Sequence, residues 1–252
     1  MSEPVILELA DGVMTLTLNR PDKKNALNQP MYSIFADALD RAQADDAVRV
    51  VVVQGTEGAF CAGNDIGDFI RFAKEGVGLE ETWRFLESLG RLEKPLIAAV
   101  DGLAIGIGTT LMFHCDMAFA TARSLFRTPF LDLGVVPEAA SSLLAPRVMG
   151  PQKAFSLLVM GDPMDGRQAA DAGLVTLVED GLPVGDAARQ AARRLARKPQ
   201  GALAVARHLM HGDREEVRQR IRDEVAAFEE RLRSPEARAA FEAFMARSSS
   251  AA

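Results

Sequence analysis

Three short apolar runs restrict the fold of this chain more than any other feature: VVVV at 50–53, LIAAV at 96–100 and DMAFAT at 116–121. A run of apolar residues without polar alternation predicts a strand buried on both faces. The first run leads into a glycine-punctuated loop over 55–67 and a helical stretch over 68–92, broken at Gly76–Gly78. The second turns at Asp101-Gly102 and is expected to enter an apolar helix directly. Strand, turn, helix and strand in repetition predict an α/β fold, with parallel strands joined by helical crossovers.

Ahead of these runs, residues 5–9 and 13–18 flank Asp11-Gly12, a hairpin signal. Met31, Ile34, Phe35, Ala38, Leu39 and Ala42 follow helical spacing. Residues 151–178 predict two short helices and a strand, LVTLV. Beyond about 183 the chain is rich in Ala, Arg and Glu. A helix over 213–233 would align Val217, Ile221, Val225, Phe228 and Leu232. The expected organisation is a core over residues 1–190 and a helical region over 191–252. That region would serve as a lid, an oligomer contact or both, with 247–252 disordered.

Composition removes several function classes. A net charge of −6 over 252 residues argues against a phosphate-backbone binder, so no nucleic-acid partner is expected. Two cysteines, Cys61 and Cys115, suit a reducing compartment. The most apolar stretch, 95–113, contains Asp101 and three glycines and reads as strand, turn and buried helix, not a membrane span. No signal peptide is visible, and the terminal SSSAA is not a Ser-Lys-Leu address. A cytoplasmic location is therefore expected.

Glu138 is the candidate for chemistry. From 133 to 145 the chain reads LGVVPEAASSLLA, and the glutamate is its only ionisable side chain. Among apolar neighbours a carboxylate loses solvation, its pKa rises and it becomes a usable base. Pro137-Glu138 also has the form of a helix opening, and both readings stand. Two loops leave buried strands: GAFCAGNDI at 58–66 and GLAIGIG at 102–108. Each is either a plain turn or close-packing segment, or a place where backbone N–H groups face a ligand. N–H donors from two such strand ends would make an oxyanion hole if they converge on one carbonyl. His208 and His211, with no carboxylate or thiolate nearby in sequence, read as solvated helix residues and not as metal ligands. His114 reads as a packed histidine, and no metal site is expected.

Four stretches occur together and in order: NRPDKKNALN at 19–28, GAFCAGNDI at 58–66, KPLIAAVDGLAIGIG at 94–108 and the block 116–150. In this the chain resembles the crotonase (enoyl-CoA hydratase/isomerase) superfamily along nearly its whole length. The resemblance implies a spiral of ββα units with a helical C-terminal region, assembled as a homotrimer or a dimer of trimers. It implies acyl-CoA thioester substrates, with no cofactor beyond the coenzyme A that the substrate carries. By matching positions, Asn64 and Ile107 would donate the oxyanion N–H groups. Lys23, Lys24, Ala26, Leu27, Ala62, Gly63, Asp65 and Ile66 would contact coenzyme A, and Gly106 and Phe130 would line the substrate site.

The departures narrow the activity. Hydratases of the family carry two glutamates that activate water, and their positions hold Thr110 and Phe130 here. Neither replaces a carboxylate base. RTPFLDLGVVPEAASS at 127–142 resembles the peroxisomal-type Δ3,Δ2-enoyl-CoA isomerases, in which one glutamate, matching Glu138, carries the proton. The resemblance thus implies conversion of 3-enoyl-CoA to trans-2-enoyl-CoA. The alternatives are another acyl-CoA reaction (hydration, thioester hydrolysis or dehalogenation) or a catalytically weak CoA-binding homologue. A second carboxylate beside Glu138 would restore water activation, and Asp68 and Asp132 are the candidates for it. An acyl pocket blocked by Phe130 or the C-terminal helices would favour the non-enzyme.

Overall fold

The structure is a computed structural model that describes residues 3–179, 181–212 and 214–250. Strands β1 (Val5–Ala10) and β2 (Val13–Leu18) form the expected hairpin. Helix α1 (Gln29–Ala44) is capped by Asn28, whose side chain accepts from the Met31 N–H, and Pro30 stands in its first turn. Three ββα units follow. The first is β3 (Val50–Gln54), β4 (Ala59–Cys61) and the helices α2 (Ile66–Glu75) and α3 (Glu80–Arg91). The second is β5 (Leu96–Val100), β6 (Leu103–Ile105) and α4 (Ile107–Thr110), and the third is β7 (Met117–Ala120), β8 (Leu125–Arg127) and α5 (Ser141–Phe155). After them come β9 (Met164–Asp165), α6 (Gly166–Asp171), β10 (Thr176–Leu177) and α7 (Val184–Ala196). Helices α8 (Gln200–His211), α9 (Arg214–Leu232) and α10 (Pro235–Ser250) form the C-terminal region.

The first strand of each unit enters one sheet and the second strand enters another. The six-stranded sheet has the order β1-β2-β3-β5-β7-β10 and is parallel from β2 onward. The four-stranded sheet, β4-β6-β8-β9, is parallel except for β9. The chain therefore winds as the ββα spiral that the resemblance implies. Successive turns stack backbone on backbone: a Cβ at Gly102 would lie 2.0 Å from the Gly58 carbonyl oxygen, so only glycine fits there.

Both faces of the larger sheet are covered, which is why its central strands read as unbroken apolar runs. On one face, α1 and α3 pack together through Tyr32, Phe35 and Phe85, with the Phe35 and Phe85 rings stacked 4.9 Å apart. On the other, α7 runs across residue 190 and lays Val184, Ala188, Ala192 and Ala196 against Val50, Val52, Ile97 and Ala99. Phe228 and Phe241 from α9 and α10 close on Phe69 of α2.

Some expectations need correction. The turn at Asp101-Gly102 opens into strand β6 before any helix, and α4 has only four residues, continued by a tighter turn, Leu111–His114. The LVTLV run yields a strand of two residues, because β10 sits at the sheet edge beside β7 alone. Disorder is expected from residue 247, and α10 extends to Ser250. Ala251 and Ala252 lie outside the described residues, as does Asp213, the expected start of α9.

Candidate active site

The loop after β4 is stitched to the segment 20–28 by backbone pairing. Ala62 N–H donates to the Lys24 carbonyl (2.9 Å), Leu27 N–H to Gly63 (2.8 Å) and Asp65 N–H to Leu27 (2.8 Å). Asn25, fully buried and left-handed, locks the joint: its Nδ2 donates to the Ala59 carbonyl at 2.7 Å and its Oδ1 accepts from Arg20 N–H at 2.8 Å. Arg20 pairs with Asp65 at 2.8 Å. Burial alone would raise the Asp65 carboxyl. Hydrogen bonds from Arg20 and the Gly67 N–H, with the charges of Arg20 and Lys23, outweigh it and hold Asp65 below the usual carboxylate value. Asp65 is thus a helix cap and ion-pair partner, accepting from Gly67 N–H at the start of α2. Arg20 and Asn25 were not among the expected site residues. Their signal in the sequence is only their place inside the first matching stretch.

Lys23 and Lys24 are exposed on this joint, Ala26, Ala62 and Ile66 are half-buried, and Leu27 is buried. Gly63 adopts φ 93°, and a Cβ there would lie 3.1 Å from the Ile105 carbonyl oxygen, so the loop after β4 runs against the end of β6. Leu27 pairs with Gly63 and Asp65, which leaves the N–H of Asn64 directed away from Leu27. Gly106 caps α4 and makes Ile107 its first residue, where the N–H has no partner within the helix. Neither N–H donates to another backbone group among the described residues. The Asn64 side chain accepts from Tyr32 Oη at 2.6 Å, which fixes the residue in place.

Glu138 does not open a helix. α5 begins at Ser141, and the intervening Ala139 and Ala140 are both left-handed, with φ 59° and 53°. Such a conformation costs an L-residue about 1–2 kcal/mol, so the turn must be held from outside. His114, buried as expected, holds it: Nε2 donates to the Ala139 carbonyl at 2.6 Å. A carbonyl only accepts, so Nε2 carries the hydrogen, and burial depresses the imidazole to about 4, which keeps it neutral. Thr110 holds the glutamate itself, with Oγ1 donating to Glu138 Oε1 at 2.5 Å.

Glu138 is 4% exposed. Burial pushes its carboxyl up to about 8; the Thr110 hydrogen bond opposes the rise and the charge of Glu224 adds to it. Tyr32 and Cys61 lie close enough to feel the Glu138 charge, and burial keeps both protonated. The expected second carboxylates lie elsewhere. Asp68 accepts from Gln29 N–H and pairs with Arg71, and Asp132 pairs with Arg127. The carboxylate whose charge acts on Glu138 is Glu224 of α9, far along the chain and without any local sequence signal. Phe130 is buried at the start of the turn Leu131–Leu133. His211 is not free of carboxylates: its Nε2 lies 2.8 Å from Asp116 Oδ1, which Arg207 also contacts at 2.7 Å. His208 is exposed.

Residues 8–250 match the family model of enoyl-CoA hydratase/isomerase. The chain is similar to 1,2-epoxyphenylacetyl-CoA isomerase of Escherichia coli (strain K12), 34% identical over 213 residues, covering 81% of this chain and 80% of that one. It is also similar to the peroxisomal enoyl-CoA delta isomerase 3 of Mus musculus, 37% identical over 182 residues, which are 70% of this chain but 57% of that enzyme. Among solved structures, Pseudomonas aeruginosa OdaA superposes with a TM-score of 0.91 at 45% identity, over 97% of this chain and 99% of that one. A match from residue 8 to residue 250, on a ββα spiral that buries a carboxylate beside two strand-end loops, places the chain in the enoyl-CoA hydratase/isomerase family.

Proposed function

We propose that this protein is an isomerase that moves the double bond of 3-enoyl-CoA to give trans-2-enoyl-CoA. One observation carries the reading: Glu138 is a buried carboxylate raised to about 8, and Thr110, where a water-activating glutamate would otherwise stand, donates a hydrogen bond to it. The ionised Glu138 takes a proton from C2 of the substrate. The C–H electron pair moves toward the thioester carbonyl, giving a dienolate whose oxygen accepts from the N–H groups of Asn64 and Ile107. One such donor contributes roughly 3–4 kcal/mol to the transition state. Glu138 then returns the proton at C4, the double bond settles between C2 and C3, and the carboxylate is regenerated. No water is consumed. Lys23 and Lys24, with the backbone of 62–66, Ala26 and Leu27, form the contact surface for coenzyme A, which the substrate itself brings. Gly106 and Phe130 line the acyl side.

Hydration is the second reading, and Glu224 is the observation that favours it. The two separate in one assay: the protein is expected to isomerise 3-enoyl-CoA and to leave trans-2-enoyl-CoA unhydrated. Rapid hydration would transfer the assignment to a two-carboxylate mechanism. Thr110→Val gives a further check. The Thr110 hydrogen bond lowers the Glu138 carboxyl, so its loss moves the acid limb of kcat/KM to higher pH by about one unit. An unchanged limb would show that Thr110 does not act on the base.

The reading includes self-association as a homotrimer or dimer of trimers. Helix α8 buries Arg207 and turns Val205, Leu209 and Met210 outward, at 61%, 76% and 87% exposure. An apolar face of this kind suits a second copy of the chain. Light scattering is expected to show an oligomer that Leu209→Glu with Met210→Glu breaks down, whereas a wild-type monomer would refute the assembly. No helix among the described residues is long and apolar enough to cross a membrane. The free thiols Cys61 and Cys115 suit the cytoplasmic location that completes the proposal.

A further inference from the structure

We propose that Glu224, on α9 of the C-terminal region, is a positioning residue for Glu138: it anchors the turn that carries the base and sets the base's strength by its charge. The inference rests on the reading of Glu138 as the base. Helix α5 starts without a cap of its own, since Ala140 stands at its N-cap and has no side chain to offer. Glu224 supplies the missing acceptor from another helix. Its Oε1 accepts from Ser142 N–H at 3.0 Å and from Ser142 Oγ at 2.5 Å, while Arg220, one turn back on α9, donates to the same Oγ at 3.0 Å. The left-handed pair Ala139-Ala140 is thereby held on both sides, by His114 before it and Glu224 after it.

The anchoring alone would need only a neutral acceptor, yet a carboxylate is used, 6% exposed. Its Oε2, like Ser141 Oγ, is buried with no hydrogen-bond partner among the described residues. Tyr32 of α1, Cys61 of β4 and Thr110 of α4 face Glu138 and carry no charge. Arg220 acts on Glu224 as a cation. His114, itself surrounded by Arg207, His211 and Arg214, is neutral. Two buried carboxyls so placed ionise in sequence. Burial raises both, but two hydrogen bonds from Ser142 and the charge of Arg220 favour the ionised form of Glu224, against the single Thr110 bond on Glu138. Glu224 therefore ionises first, and its charge makes Glu138 the stronger base.

Glu224→Gln tests this, because glutamine keeps an oxygen for Ser142 and removes only the charge. Two readouts are taken: the pH profile of kcat/KM for 3-enoyl-CoA, and the titration of the Glu138 side-chain carbon by NMR in ¹³C-glutamate-labelled protein, assigned with Glu138→Gln. The variant is expected to shift the Glu138 midpoint and the acid limb downward together, by about one unit. A moved midpoint without isomerisation by either protein supports the Glu224 role and refutes the proposed reaction. An unmoved midpoint overturns the Glu224 role whatever the activity. If the variant fails to fold, the wild type still decides. Its Glu138 resonance is expected to titrate in two steps as Glu224 ionises beside it, and a single step overturns the proposal.

Discussion

Glu138→Gln is expected to lower kcat for 3-enoyl-CoA isomerisation by about 10²- to 10⁴-fold, the usual contribution of a positioned general base. Glutamine retains the shape of the side chain and an oxygen to accept from Thr110, so the surrounding turn has no reason to rearrange. On the proposed mechanism, what is lost is the ability to take a proton from C2 and return it at C4. The groups expected to hold coenzyme A, on 23–27 and 62–66, do not involve the carboxyl, so KM is expected to stay within a few-fold of wild type. Steady-state kinetics on both proteins check this. A variant with near-normal kcat would remove Glu138 from the chemistry.

The same substitution is expected to make the protein more stable at alkaline pH. The Glu138 carboxyl is about 8 in the folded state against 4.5 when free, so the fold favours the protonated form. Below 4.5 both states are protonated and nothing is lost. As pH rises from 4.5 to 8 the unfolded chain binds fewer protons than the folded one, so stability falls, and above 8 the full cost applies. For a completely buried group that cost is on the order of 5 kcal/mol at 1.36 kcal/mol per unit. Glu224, raised to about 7 by burial, contributes in the same direction. Urea unfolding at about pH 5 and about pH 9 is expected to show Glu138→Gln gaining over wild type chiefly at the higher pH. An equal difference at both would mean that the carboxyl is not strained by burial. The wild type thus gives up stability to hold a carboxylate in an apolar site.

The parts of the fold that were legible are those whose signals are local. The runs at 50–53 and 96–100 became β3 and β5, and the spacing from Met31 became α1. The second strand of each unit was not legible, because β4, β6 and β8 have three residues each and show no alternation. In the site, the isolation of Glu138 announced its burial. Its place ahead of α5 did not show, because Pro137-Glu138 has the composition of a helix start while the left-handed Ala139-Ala140 has no glycine to mark it. Glu224 reads in sequence as one more acidic residue on a charged helix, and His211 as a solvated one. Their partners Ser142 and Asp116 come from distant segments, so only the folded chain brings the pairs together.

The central claim is that one glutamate carries one proton from C2 to C4. It is tested most directly with 3-enoyl-CoA bearing deuterium at both C2 positions, turned over in ordinary water and followed by mass spectrometry from the earliest product. The expected product is trans-2-enoyl-CoA in which a substantial fraction retains both deuterium atoms, one at C2 and one moved to C4. A product that keeps a single deuterium from the first turnover onward, or one that has gained the mass of water, would contradict the single-glutamate shuttle.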